Sequence, residues 1–252
     1  MTHRPRLKGV TAMELIFIGT GAILSNRNGA SLLVDRQVLV DCPNGIVKST
    51  RRHGISLQNV ELVCITHFHG DHTFDLPFLL LERALRPEGQ LDLVIVGPSG
   101  IEAFTWNIFR LAFPNSVGRV ESRVPLHFVE ARDGSQLVLN QQISVSSFAM
   151  VHSEMECYGY AIEINGKTIG VSGDTGMCDN VLALVERSDA CVLDMTLAAS
   201  DPDHLGADTV SALAEQFAKQ GKRFFATHMS DEVRHYPVDQ VMLPDDFAEA
   251  RI

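Results

Sequence analysis

The sequence predicts an α/β protein built as a four-layer αββα sandwich, with two β-sheets packed face to face and helices on both outer faces. Two patterns support this fold class. Short runs of Ile, Leu and Val, separated by turn residues, predict strands near the N-terminus and again between residues 126 and 170. In the last third, strands alternate with helices that carry one apolar face. A chain of 252 residues with 45% hydrophobic residues can bury the core of such a fold.

The first half of the chain predicts strands and two helices. The strands are expected at residues 14–19, 31–35, 37–42, 62–66 and 91–96. The helices are expected at residues 76–85 and 101–113, and Arg86-Pro87 should end the first of them because proline cannot continue a helix. Gly19-Thr20-Gly21 predicts a tight turn, whereas a phosphate-binding loop is disfavoured, since no Gly-Lys-Ser or Gly-Lys-Thr follows.

The second half contains a strong hairpin signal and then an alternating pattern. Asn165-Gly166 lies between two apolar runs at residues 160–164 and 167–171, which is typical of a two-residue hairpin turn. The alternating elements are a helix at 178–186, a strand at 190–195, a helix at 207–220 and a strand at 224–227. Gly221 is expected to terminate the second of these helices. We expect residues 13–252 to form one domain, preceded by a disordered extension at residues 1–12.

Composition and charge exclude some classes of protein. The net charge of −10 argues against a surface that attracts nucleic acid broadly, because such a surface needs clustered Lys and Arg. The five cysteines form no Cys-x-x-Cys pair, which favours reduced thiols and a cytoplasmic location. No run of eighteen apolar residues and no signal-peptide pattern occurs, so neither a membrane helix nor a membrane partner is expected.

A cluster of histidines and one aspartate follows the predicted strand at residues 62–66. It contains His67, His69, Asp71 and His72 within six residues. Imidazole is the commonest protein ligand for zinc, and carboxylates complete such sites, so the cluster predicts a metal site. The alternative is a polar loop that happens to be rich in histidine.

Further candidate ligands also follow predicted strands. His152, Asp174 and His228 each lie where an apolar run ends, and strand ends at one edge of a sheet converge in space. Six of the ten histidines lie at such edges or in adjoining loops: His67, His69, His72, His152, His204 and His228. A single histidine at a strand end is usually structural, but six together favour a metal centre.

These motifs resemble the metallo-β-lactamase superfamily of hydrolases, and within it the ribonuclease Z-like branch. The resemblance runs from Glu14 to Ser230. Besides the histidine cluster it rests on Gly19-Thr20-Gly21, Asp41-Cys42-Pro43-Asn44-Gly45, His152 leading to Tyr158-Gly159-Tyr160, Ser172-Gly173-Asp174-Thr175, Asp194-Met195-Thr196, His204, and Thr227-His228-Met229-Ser230. It implies an αββα sandwich of the metallo-β-lactamase type that holds two divalent metal ions.

The resemblance also implies a role for each ligand. One metal would be held by His67, His69 and His152, the other by Asp71, His72 and His228, with Asp174 bridging both. Zn is the expected metal, and Mn or Fe also suits a mixed His and Asp site. Such ions lower the pKa of bound water from about 15.7 to near 7 and so supply a hydroxide nucleophile.

Four residues have catalytic or supporting roles in this interpretation. Asp71 would both bind the second metal and orient the attacking hydroxide. Asp194 and His204 resemble a pair that protonates the leaving oxygen; alternatively they are a helix-cap or surface aspartate and a loop histidine. Asp41 would accept a hydrogen bond from a ligand histidine, or be a simple turn residue.

Two departures from the branch affect the expected substrate. Its tRNA-processing members carry a long basic arm between the positions of His152 and Asp174, and residues 153–173 leave no room for it. Asp41-Cys42-Pro43-Asn44-Gly45 also differs from the Asp-Cys-Gly-Glu-Gly usual there. We therefore predict a phosphodiesterase for a small or cyclic phosphodiester. Thioester or lactone hydrolysis is the alternative; a ribonuclease or a noncatalytic scaffold is less favoured.

Two further expectations concern partners and the pocket. A small-molecule substrate is favoured over nucleic acid, and the family resemblance implies a homodimer. The substrate pocket is expected to be lined by residues 23–28, residues 113–118 and the tail after His228, which carry no readable signature.

Overall fold

The structure, a computed structural model, describes residues 12–86 and 91–252. The predicted disordered extension therefore lies outside the described residues, except for its last position, and so does Pro87. Within the described ranges, the strands form two seven-stranded sheets. In chain order the strands are β1 (Glu14–Gly19), β2 (Ser31–Val34), β3 (Val38–Val40), β4 (Leu62–Cys64), β5 (Leu93–Gly97), β6 (Leu126–Glu130), β7 (Gln136–Val138), β8 (Ile143–His152), β9 (Met155–Ile164), β10 (Lys167–Val171), β11 (Ala190–Asp194), β12 (Arg223–Thr227), β13 (Val241–Met242) and β14 (Ala248–Arg251).

The first sheet has the strand order β14-β1-β2-β3-β4-β5-β6, and the second has the order β13-β12-β11-β10-β9-β8-β7. Helices lie between these strands in sequence. They are α1 (Ile46–Arg52), α2 (Gly70–Thr73), α3 (Leu76–Leu85), α4 (Ile101–Ala112), α5 (Val117–Arg123), α6 (Asp179–Arg187) and α7 (Ala207–Phe217), with short 3₁₀ turns at Ala218–Gln220 and Val233–His235.

Three hydrophobic clusters define the four layers. Phe17 and Phe225, one from each sheet, meet in the central cluster with ring centroids 5.1 Å apart. Successive side chains of a strand point to opposite faces, so Leu15 joins the central cluster while Ile16 packs under the helices of the first half. A third cluster lies between the second sheet and helices α6 and α7. The predicted αββα sandwich is confirmed.

The direction of the strands brings several loops to one edge of the sandwich. Strands β3 to β6 run parallel to one another, and so do β10 to β12. Parallel strands place their carboxyl ends on the same side of a sheet. The loops after β3, β4, β10, β11 and β12 therefore start close together, and these are the loops that carry the predicted ligands.

Backbone conformation confirms two of the predicted turns, but no tight turn forms at Gly19-Thr20-Gly21, because Gly21 bridges Gly29 and Met229 instead. Asn165 and Gly166 have φ values of 53° and 81°, as a two-residue hairpin turn requires, and Lys167 pairs with Ile164 across it. The helix predicted to reach residue 220 ends as an α-helix at Phe217 and tightens into a 3₁₀ turn. Gly221 follows with φ 70°, the left-handed conformation expected of a terminating glycine.

Some elements were not predicted. Helices α1 and α5 have seven residues each, which is under two turns and too short to show a clear apolar period. Strand β14 reads Ala-Glu-Ala-Arg, a sequence without apolar β-formers, and forms because it pairs with β1. Among the described residues, no helix has both the length and the apolar character that crossing a membrane requires.

Removal of an aromatic ring from the central layer should destabilise the fold strongly. Phe17 is 1% exposed, so we expect Phe17→Ala to lower the free energy of unfolding by about 3–5 kcal/mol. Phe78→Ala is the matched control, because this ring is 50% exposed and its loss should cost at most about 1 kcal/mol. Urea unfolding followed by circular dichroism measures both, and equal losses would contradict this description of the core.

Candidate metal centre

All seven predicted ligand residues meet at the edge where the two sheets come together. Their ligand atoms fall into groups in which every pair lies within 4.8 Å. The groups include the two predicted sets and a third that contains Asp174: His67, His69 and His152; Asp71, His72 and His228; His67, His72 and Asp174. The structure thus brings together residues from α2, from the last position of β8 and from the loops after β4, β10 and β12.

The first set consists of three imidazoles that face a common point. His69 Nδ1 lies 2.9 Å from His67 Nε2 and 3.4 Å from His152 Nε2. Three nitrogen lone pairs at this spacing repel one another unless a proton or a cation lies among them. The arrangement can hold one divalent ion.

The second set joins a carboxylate to two imidazoles. Asp71 Oδ2 lies 3.6 Å from His228 Nε2 and 3.9 Å from His72 Nε2. Asp71 and His72 are neighbours at the start of α2, where the chain turns immediately after β4. His228 comes from the other sheet, directly after β12, and has a left-handed backbone with φ 51°.

Asp174 connects the two sets. Its Oδ2 atom lies 3.3 Å from His72 Nε2, 3.4 Å from His228 Nε2 and 3.9 Å from His67 Nε2. One carboxylate oxygen therefore faces ligand atoms of both sets. This is the place that a bridging ligand occupies in a two-metal site.

Two buried ring nitrogens without a hydrogen-bond partner indicate that the residues fit a metal ion. His72 Nε2 and His228 Nε2 are buried and find no hydrogen-bond partner among the described residues. A buried polar atom without a partner costs about 1–3 kcal/mol, so such atoms need a compensating contact. Both nitrogens face Asp174 and Asp71, and a cation between them would supply that contact. The donor set of imidazoles and carboxylates suits Zn, Mn or Fe.

The protonation states of His67 and Asp174 suit metal binding, whereas His72 holds a proton more tightly than a free imidazole. Burial, followed by the charge of His72, lowers the pKa of His67 to about 2, so this imidazole is neutral. Burial raises the pKa of Asp174, but the neighbouring His228 and His72 outweigh it and hold that pKa well below its usual range. Burial lowers the pKa of His72, but Asp174 and Asp41 outweigh it and raise that pKa. A proton therefore competes with a cation at His72, and metal binding should weaken as the pH falls.

Asp41 lies behind the second set, as expected of a residue that supports a ligand. Its Oδ2 atom lies 2.8 Å from His72 Nδ1, and the buried carboxylate also accepts hydrogen bonds from the backbone N–H and hydroxyl of Thr66. These contacts fix the ring so that Nε2 faces Asp174.

Asp203 supports His152 and was not predicted. Its backbone carbonyl oxygen lies 2.9 Å from His152 Nδ1, and its carboxylate accepts hydrogen bonds from the backbone N–H and hydroxyl of Ser153. The loop that carries His204 is thereby attached to the end of β8. The sequence holds no signal for this contact, because Asp203 and His152 are far apart in the chain.

Asp194 and His204 form a pair beside both sets. Asp194 is fully buried, and its Oδ2 atom lies 2.9 Å from His204 Nδ1. The His204 ring lies 4.8 Å from that of His152 and 5.5 Å from that of His228, measured between centroids. Burial lowers the pKa of His204, but the hydrogen bond and charge of Asp194 outweigh it and raise the pKa to about 9.

A cavity of about 520 Å³ opens next to Asp71. Part of the expected lining is present, since Ile23, Ser25, Arg27 and Asn28 contribute to its wall. Residues 113–118 do not line it. The tail after His228 does not line it either, although Met229 pairs with Gly21 at the start of the lining loop.

Comparison with known proteins identifies the family. Residues 36–229 match the family described as the beta-lactamase superfamily domain. Ribonuclease BN of Enterobacter sp. (strain 638) is 35% identical over 165 residues, which cover 62% of this chain and 51% of that protein. Ribonuclease Z of Bacillus cereus (strain AH820) is 25% identical over 280 residues, and the alignment covers 86% of this chain and 89% of that protein. The chain belongs to the beta-lactamase superfamily. Its similarity to proteins named ribonuclease BN and ribonuclease Z agrees with the predicted ribonuclease Z-like branch.

Solved structures share the fold over nearly the whole chain. The short form of human tRNase Z has a TM-score of 0.74 at 22% identity, covering 94% of this chain and 98% of that one. A diphosphatase from the PhnP family has a TM-score of 0.72 at 18% identity, covering 94% and 97%. Zn²⁺-bound PqqB from Methylobacterium extorquens has a TM-score of 0.69 at 15% identity, covering 94% and 99%.

Length separates this chain from several relatives. The alignment with the Enterobacter protein spans about half of that protein. The alignment with the Bacillus cereus protein has 280 positions, more than the 252 residues of this chain, so that relative contains insertions which this chain lacks.

Loss of the Asp174 carboxylate charge should remove bound metal. We expect Asp174→Asn to reduce the metal content from about two ions per chain to below one, because one oxygen serves both sets. Elemental analysis after purification measures this. Asp92→Asn is the matched control, since that side chain is 73% exposed and remote from the centre. Two ions retained by the Asp174 variant would contradict the bridging position.

Proposed function

We propose that the protein is a dinuclear metal-dependent phosphodiesterase that cleaves a small or cyclic phosphodiester. The observation that carries this proposal is the Asp194–His204 pair, 2.9 Å apart, beside two ligand sets that meet at Asp174. The ligand sets support hydrolysis in general. The pair supports a substrate whose leaving group needs a proton.

In this proposal His67, His69 and His152 hold one cation and Asp71, His72 and His228 the other, with Asp174 between them. When bound, such cations would lower the pKa of water from about 15.7 to near 7 and would offset negative charge on phosphoryl oxygens. Asp71 adds a second task. It lines the cavity and is only partly buried, so its carboxylate can accept a hydrogen bond from the attacking water and orient it toward phosphorus.

His204 acts as the general acid. Asp194 holds His204 Nδ1, which leaves Nε2 as the atom that gives its proton to the departing oxygen. An alkoxide is a poor leaving group and depends on such a proton, whereas a thiolate leaves readily without one. The pair therefore favours a phosphodiester over a thioester.

The expected substrate is small. A cavity of about 520 Å³ falls in the range of about 300–1,000 Å³ typical of sites for small molecules. The net charge of −10 and the absent arm both disfavour tRNA, although several relatives are named ribonucleases. The similarity in fold to a PhnP-family diphosphatase is compatible with a small phosphate ester.

Further proposals concern the metal, the domain organisation, the location and the oligomeric state. We take zinc as the native metal, with Mn or Fe as the alternatives, because a zinc-bound protein shares the fold and the donors suit that ion. Residues 13–252 are proposed to work as one domain, in the cytoplasm and as a homodimer. The described cysteines are all free and none is paired.

A panel of substrates tests the reaction class. The metal-loaded protein should hydrolyse cyclic nucleotides or aryl phosphodiesters faster than thioesters, lactones and precursor tRNA, at equal concentrations. A thioester or lactone as the best substrate would contradict the phosphodiester assignment while leaving the metal centre intact. Faster cleavage of precursor tRNA would make the protein a ribonuclease.

Loss of His204 should slow substrates according to their leaving group. We expect His204→Ala to reduce kcat by about 10²–10⁴-fold on alkyl phosphodiesters and by under about tenfold on nitrophenyl esters, with metal content unchanged. His127→Ala is the control, because this side chain is 61% exposed. Equal slowing of both substrates would remove the general-acid role.

The pH profile provides an independent check on His204. A general acid works in its protonated form, and Asp194 outweighs burial to raise the pKa of His204 to about 9. Activity on an alkyl phosphodiester should therefore persist up to about pH 9 and fall as the pH rises further. His204→Ala should show low activity without this alkaline decline, and a decline that persists in the variant would assign it to another group.

A further inference from the structure

The hydroxyl of Thr196 lies at the junction between the acid pair and the second ligand set. Thr196 Oγ1 is 2.7 Å from Asp194 Oδ1 and 2.8 Å from His228 Nδ1. It is also 2.9 Å from the His228 backbone oxygen and 3.3 Å from His204 Nδ1. Thr196 follows β11, whereas His228 follows β12, so this contact also ties neighbouring strand ends together.

The direction of these hydrogen bonds follows from the number of protons available. A hydroxyl donates one hydrogen and accepts through its lone pairs. Asp194 is the nearest partner, and a hydrogen bond to a carboxylate is stronger than one to a neutral carbonyl, so the hydroxyl donates to Asp194 Oδ1. The same oxygen must then accept from His228, which places a hydrogen on His228 Nδ1.

In the neutral ring, a hydrogen on Nδ1 leaves the opposite nitrogen of His228 with a free lone pair. His228 Nε2 is buried, without a hydrogen-bond partner among the described residues, and lies 3.4 Å from Asp174 Oδ2. A histidine that binds a metal through Nε2 needs its hydrogen on Nδ1, and the group that receives this hydrogen sets the ring orientation.

Asp194 itself is held rigidly enough to act as the anchor. Oδ2 accepts the backbone N–H of Thr175 at 3.2 Å and contacts His204 Nδ1 at 2.9 Å. Oδ1 accepts the backbone N–H of Thr196 at 3.1 Å as well as its hydroxyl. One oxygen of the Asp194 carboxylate therefore contacts His204, the proposed general acid. The other oxygen is connected through the Thr196 hydroxyl to His228, a proposed metal ligand.

His228 combines this ring contact with a left-handed backbone. A φ of 51° is rare for a residue with a side chain and persists only where its surroundings hold it. Thr196 Oγ1 contacts both the ring nitrogen and the backbone oxygen of His228. Because the single hydroxyl hydrogen goes to Asp194, Thr196 acts on His228 by accepting a hydrogen bond from the ring nitrogen.

We propose that Thr196 is a positioning residue that fixes the tautomer and orientation of His228, and so sets the affinity of the second metal position specifically. Through this hydroxyl, Asp194 serves the metal centre as well as the general acid. The inference rests on the proposed dinuclear centre, and it concerns the metal position formed with Asp71 and His72.

Stepwise metal titration tests the proposal. Metal-free wild type, Thr196→Val and Thr196→Ser are titrated with Zn²⁺ against a chromophoric chelator, which gives the number of ions bound and each dissociation constant. Valine keeps the shape of threonine but lacks the hydroxyl. We expect Thr196→Val to weaken the second ion by about 10–100-fold and to leave the first within about threefold. Thr196→Ser should restore the second constant to within about threefold of wild type.

Two controls separate positioning from general damage. Thr50→Val removes another buried hydroxyl, which donates to the Val47 carbonyl in α1, and should leave both constants within about threefold. Circular dichroism of the metal-free proteins shows whether each variant is folded, and Thr196→Ala replaces the valine variant if that one is not.

Distinct results overturn the inference and the proposed function. Unchanged constants in Thr196→Val, equal weakening of both ions, or a serine variant as weak as the valine variant would each overturn the role of Thr196 while leaving the dinuclear centre in place. A wild-type protein that binds fewer than two ions would overturn the dinuclear centre and this inference together.

Discussion

The structure depends on keeping imidazoles and carboxylates out of water at the edge between the two sheets. His67, His72 and Asp174 are almost fully buried, and burying polar or charged groups is costly unless they compensate one another. Asp174 Oδ2 lies within 3.9 Å of imidazole nitrogens from both ligand sets. Compensation by mutual contact, with a place for a cation where nitrogens are left without partners, is therefore the constraint on this edge.

The sandwich meets that condition through strand direction. The ligands are not on one element, because the first sheet supplies the histidine cluster after β4 and the second supplies Asp174 and His228 after β10 and β12. Packing of the central layer, where Phe17 meets Phe225, sets the distance between the sheets and with it the distance between ligands. Stability of the core and integrity of the centre are for this reason coupled.

In the proposed function, the residues that carry the chemistry are separate from those that would bind the substrate. The ligands and Asp194 lie at the ends of buried strands, whereas the cavity beside Asp71 is lined by the loop that contains Ile23 and Arg27. A rigid edge with variable loops permits one reaction type on different substrates. The family includes proteins named as ribonucleases, and a diphosphatase shares the fold, which is compatible with this arrangement.

The sequence alone determined what depends on near neighbours in the chain: the hairpin at Asn165-Gly166, most strands, and the histidine cluster, because turn conformation, alternation and ligand spacing act over a few residues. Similarity of motifs also pointed to the family. Only the tertiary structure decided which ring nitrogen faces which oxygen. It also decided that Asp203 contacts His152, that Thr196 joins Asp194 to His228, and that β14 pairs with β1. Those contacts join residues far apart in sequence, so no local pattern encodes them, and they form only when the two sheets pack.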